Sequence, residues 1–107
     1  MALTRWGFVY TVGPEDPIRR DEIGGEGCRL IAVGVPSTEL AAVVCVELAD
    51  DGCELIELCG AFGAVALAEV ERALAAVEVP VGVVTYGVAA TAGLHRLFVA
   101  SDGSAST

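Results

Sequence analysis

Apolar residues in this chain come in short runs, and the runs alternate between two spacings. The segment WGFVYTV (6–12) is aromatic and β-branched and stops at Gly13-Pro14, which predicts a first strand. A second strand is predicted at RLIAVGV (29–35), stopped by Pro36. The spacing then becomes helical: Ser37 and Thr38 offer hydroxyl caps, Glu39 places an acid in the first turn, and Leu40, Val43, Val44 and Leu48 share one face. Gly52 supplies a left-handed stop. Residues 53–59 predict a third strand and 60–63 a turn. A second helix follows with Val65 or Leu67, Val70, Leu74 and Val77 on one face and Glu69, Glu71 and Arg72 on the other. Residues 79–86 predict a fourth strand, broken by Gly87, and 90–98 a last helix with Leu94, Leu97 and Phe98 inward.

Strands alternating with helices predict an α/β fold with a mostly parallel sheet. Segments 30–35 and 81–84 are apolar on both faces, as strands covered by helices on each side are. The expected architecture is a small open four-stranded sheet with helices on both faces, flavodoxin-like or half-barrel-like. It forms one domain over residues 1–98 with a flexible tail at 99–107. The connection 15–27 has room for a short helix around 17–23, but Gly24, Gly25 and Gly27 favour a loop.

Composition narrows the function classes. With 107 residues there is one core. The mean hydropathy of +0.64 is high, yet the longest uncharged stretch, 79–94, is shorter than the ~20 residues of a spanning helix. No secretory signal is visible at the N-terminus, so the expected location is the cytoplasm. The net charge is −9, and all six positive residues are Arg. The absence of Lys removes Schiff-base chemistry and the phosphate-binding loop that ends in Gly-Lys-Ser/Thr. An acidic surface is also a poor partner for nucleic acid or an anionic membrane. The four cysteines show no C-x-x-C spacing and there is one His, so neither a metal nor a zinc-based cofactor is expected. A G-x-G-x-x-G fingerprint is missing too, which leaves nicotinamide cofactors without support.

In an open parallel sheet, ligands bind beyond the carboxyl ends of the strands. That rule selects segments 10–12, 34–37, 57–63 and 85–87. Side chains alternate along a strand, so Glu57 and Glu54 lie on opposite faces, with Glu54 near solvent and Glu57 deeper. A carboxylate among apolar groups is suited to general acid or base work; equally, Glu57 would hold a loop through N–H groups or pair with Arg29. Cys59 at the start of the second helix is a candidate nucleophile, and the alternative is a quiet half-buried thiol. Tyr86 is the third catalytic candidate, its phenol donating to a ligand oxygen or simply capping the core. Ligand-binding candidates are Tyr10, Ser37, Gly60, Phe62, Gly63, Thr85 and Gly87; Gly60 and Gly63 let backbone and helix N–H groups approach a ligand.

The segments ELCGAFG (57–63) and VPVGVVTYG (79–87), with WGFVYT (6–11) and VGVPS (33–37), resemble a family of small bacterial proteins of unknown function. The resemblance spans most of the chain outside 15–27 and the tail. It implies a stand-alone domain and carries over no catalytic residue. Two functions from different classes are expected. One is a metal-independent enzyme acting on a small metabolite, with Glu57 as general acid or base and Cys59 and Tyr86 assisting. The other is a non-catalytic ligand-binding or homo-oligomeric assembly domain, since so apolar a chain leaves surface for a homodimer.

Overall fold

The two longest apolar runs become the two central strands of the sheet. In the computed structural model, which describes residues 2–101, β1 (Arg5–Thr11) and β3 (Arg29–Val35) pair in parallel from Arg5 opposite Arg29 to Thr11 opposite Val35. β4 (Ile56–Leu58) joins the other side of β1, and β5 (Val81–Val83) joins β4, both in parallel. The helices are α1 (Ala41–Asp50), α2 (Ala64–Ala73) and α3 (Thr91–Ser101), with one-turn 3-10 segments at Thr38–Leu40 and Val88–Ala90. The α/β class and the mostly parallel sheet are those expected from the sequence.

The sheet has five strands rather than four. Residues 19–24, expected as loop or short helix, form β2 (Arg19–Gly24), antiparallel to β3 at the edge of the order β2-β3-β1-β4-β5. Its RRDEIG sequence hides it, because an edge strand buries little and needs no apolar alternation. Gly24 ends it at φ +118°, where an L side chain is strained. Arg20 then ties β2 to the end of α1 through Asp51 at 2.6 Å.

Element boundaries follow local chemistry. The Ser37 hydroxyl accepts from the Glu39 N–H at 3.2 Å, and Gly52 terminates α1 at φ +90°. The strands at 53–59 and 79–86 shorten to three residues each. α3 runs on to Ser101, so residues 99–101 continue the helix, and the remainder of the expected tail lies outside the described residues.

The core occupies one face of the sheet. Val9, Ile31, Val33, Val35, Ile56 and Leu58 point to that face and pack with Ala41, Val44, Cys45 and Leu48 of α1 and Val70 and Leu74 around α2. The α1 stripe is 41, 44, 45 and 48, so Val43 turns out to solvent; Val65 and Val77 are exposed as well, leaving Leu67 as the inward alternative. On α3, Leu97 and Phe98 are exposed, because this helix extends past the sheet instead of lying along it. The opposite face carries Trp6, Phe8 and Tyr10 of β1, all half-buried, with Leu30 and Ala32 of β3 and Glu57 of β4 in register beside them.

Topology explains this asymmetry. The parallel strands run β3-β1-β4-β5, which is the 2-1-3-4 order of a flavodoxin-like sheet. In that order the β1-to-β3 crossover helix covers the second face. Here the crossover is spent on β2, and α1 and α2 both cover the first face. The helices on both faces expected from the apolar runs are therefore found on one.

Candidate functional site

The site is built where β4 and β5 end. Beyond β4 the Cys59 N–H donates to the Val9 carbonyl at 2.9 Å, which keeps the chain against β1 for one more residue. The turn that follows closes through the Phe62 N–H to the Cys59 carbonyl at 3.1 Å. Phe62 is 2% exposed and pins the turn into the core. Gly63, extended at φ −96° and ψ −173°, then starts α2 without a side-chain cap, so the first N–H groups of the helix have no side-chain acceptor. Beyond β5 the Val84 N–H donates to the Leu58 carbonyl at 2.9 Å, which carries Thr85 and Tyr86 past the end of the sheet.

Tyr86 lies across Gly60. A Cβ on Gly60 would sit 2.8 Å from the Tyr86 ring, so the glycine is what lets the ring approach the turn. Together these parts line an open cavity of about 460 Å³, with Gly60, Phe62, Gly63, Ala64 and Leu67 on one side and Val83, Val84, Thr85, Tyr86 and Leu94 on the other. The size is that of a small-molecule site, and apolar walls with a few polar groups are the usual composition. Five of the sequence-selected residues meet here: Gly60, Phe62, Gly63, Thr85 and Tyr86.

The other candidates lie elsewhere. Glu57 points to the uncovered face of the sheet, between Phe8 and Gly82, and lines a separate depression of about 130 Å³ with Gly82, Val83 and Val84. Among the described residues no hydrogen bond or ion pair reaches its carboxylate. Arg29, named as its possible partner, faces Glu22 at 3.6 Å instead. Cys59 is half-buried and packs against the core. Tyr10 stacks on Phe8 on the uncovered face, centroids 6.4 Å apart. Ser37 caps the 3-10 turn before α1, and Gly87 precedes the one before α3.

The switch-point rule favours the crevice between β1 and β4, whereas this cavity sits one strand over, between the ends of β4 and β5. Leu67, Val83, Val84 and Leu94 line it without having been singled out. Helical spacing placed Leu67 and Leu94 inward, but only the fold brings both to one wall. A second depression of about 410 Å³, behind the same helix start, carries Glu39 and Glu69. Those two carboxylates repel anions.

Electrostatics elsewhere are structural. The Glu54 carboxylate accepts from the Thr4 N–H at 2.8 Å, the Thr4 hydroxyl at 2.9 Å and the Arg5 N–H at 3.1 Å. These bonds hold its carboxyl below the ordinary range. Burial pushes the Cys45 thiol up to about 12 and raises that of Cys53 too, so both stay protonated and inert. Among the described residues no group of three His, Cys, Asp or Glu side chains is placed to hold a metal ion. Nor is any helix there long and apolar enough to cross a membrane.

Compared with known protein families, residues 4–99 match one family model, described as a family of unknown function (DUF6506). No curated protein and no solved structure matches the chain.

Proposed function

The chain belongs to this family of unknown function, DUF6506, and from its geometry we propose that it is a non-catalytic binding domain for a small, largely neutral and mostly apolar molecule. The observation that carries this reading is the cavity of about 460 Å³ at the ends of β4 and β5. Its walls come from Phe62, Leu67, Val83, Val84 and Leu94, and its polar atoms are the Thr85 and Tyr86 hydroxyls and the backbone at the uncapped start of α2. Such a lining buries an apolar body and hydrogen-bonds one or two ligand oxygens. Heavy negative charge is disfavoured, since the chain is acidic and no Arg lines the cavity.

A catalytic reading through Glu57 has less support. The depression beside its carboxylate, about 130 Å³, is below the ~300 Å³ at which small-molecule sites begin. Its side chain also faces away from the cavity.

The test is an amide NMR titration with neutral probes such as benzamide and isovaleramide, run beside the corresponding carboxylates. The expected result is saturable shifts at Gly60, Gly63, Thr85, Tyr86 and Leu94, stronger for the amides. Ala64→Phe, an exposed residue on the cavity wall, should weaken binding about tenfold by filling the space. Shifts centred on Glu39 and Glu69, or none that saturate, overturn the proposal.

A further inference from the structure

A parallel sheet is normally buried on both faces, because its strands carry apolar side chains on each. Here the first face is filled by α1 and α2, while the second presents Trp6, Phe8, Tyr10, Leu30 and Ile23 with no helix packed against them among the described residues. We infer that this uncovered face is the contact surface of a homodimer, two sheets packing face to face about a twofold axis that runs parallel to the strands between β1 and β3.

Charge distribution argues for a second copy. The molecule carries −9 overall, but the uncovered face of the sheet holds only Arg19, Asp21 and Glu57 among ionisable side chains other than tyrosine and cysteine. The rest of the acidic surface lies elsewhere, so two copies meet through their least charged side. That axis lays β1 of one copy over β3 of the other and β2 over β4. Arg19 already holds Asp21 at 2.7 Å and then faces β4 of the second copy, with Glu57 two residues along that strand. That supplies the carboxylate with the partner it lacks within its own chain.

Shape agrees with a second copy. Trp6, Phe8 and Tyr10 form a ridge along β1, beside the low positions Ala32 and Gly34 on β3. With the axis between β1 and β3, each ridge lies over β3 of the other copy, where Ala32 and Gly34 leave room. Strands of seven, six, seven, three and three residues present about 410 Å² at ~3.3 Å rise and ~4.8 Å spacing, the size of a weak contact that dilution dissociates.

Sedimentation velocity and Trp6 fluorescence test it on the full chain. Trp6 is the single tryptophan and lies on the ridge, so dilution from about 100 µM should dissociate the dimer and shift its emission to the red. Phe8→Arg should be monomeric, and Val65→Arg, on the exposed side of α2, should remain dimeric. Arg19→Glu and Glu57→Arg should each weaken association about tenfold, and the double variant should regain most of it. That cycle stands even where Phe8→Arg does not fold. A monomer at about 100 µM, a dimer whose dissociation leaves Trp6 emission unchanged, or strictly additive charge effects would each overturn the inference.

Discussion

Gly60 and Gly24 both sit in turns, yet they answer different demands. Gly60 has an ordinary backbone and is small because the Tyr86 ring lies on it. Tyr86 is 59% exposed and can swing away, so Gly60→Ala should cost less than about 1 kcal/mol in denaturant unfolding while weakening the probes of the β4–β5 cavity. Gly24 is required by its own conformation, φ +118°, and a Cβ there would meet the Cys28 carbonyl oxygen. Gly24→Ala should therefore cost about 1–3 kcal/mol by the same measurement. Cysteines divide by burial. With iodoacetamide near neutral pH, peptide mapping should find exposed Cys28 labelled in the native protein, and Cys45 and Cys53 only after unfolding. Between 9.0, the ordinary thiol value, and about 12 the unfolded chain releases a proton that folded Cys45 keeps. Stability should thus fall as pH rises through that window, by up to ~1.4 kcal/mol per pH unit.

At the scale of elements, the start of β1 depends on a residue whose sequence position gave no hint of it. Glu54 was legible as solvent-facing, and it is exposed, but its three hydrogen bonds to Thr4 and Arg5 fasten the beginning of β1 to the chain before β4. The lowered carboxyl value means that the unfolded state takes up a proton first as pH drops, so this contribution is present above the ordinary Glu range and lost below it. Glu54→Gln should lower Tm at neutral pH and flatten the acid side of the stability curve, as thermal melts between neutral and acid pH would show. Strong local signals located most elements: the aromatic and β-branched runs became β1 and β3, and Gly52 ended α1. β2 escaped because a strand of alternating charge at a sheet edge has no hydrophobic period to read. Helix phase was off by about one residue on α1, where close packing chose Cys45 over Val43.

At the scale of the molecule, one substitution of parts governs the rest. The crossover after β1 is an edge strand where a doubly wound sheet has a helix, and one face of the sheet stays bare. The two proposals rest on different sides of that fact. The cavity at the ends of β4 and β5 belongs to the packed face, and the dimer contact to the bare one. Ligand binding and association therefore fail independently, and a ligand that binds only the folded chain should add about 2.7 kcal/mol at a hundred times its Kd whichever the oligomeric state.

Composition and period by themselves determined the α/β class, the parallel central strands, the cap at Ser37 and the segments that end each strand, because all of these depend on neighbours within a few residues. Only the tertiary structure decided which strand ends converge. It drew Gly60, Phe62, Gly63, Thr85 and Tyr86 to one cavity and turned Glu57 to the other face. It also decided that the second set of apolar residues on β1 and β3 would lie uncovered. An apolar run records that both faces of a strand are suited to burial; which layer arrives to bury them is set by the path of the chain between strands.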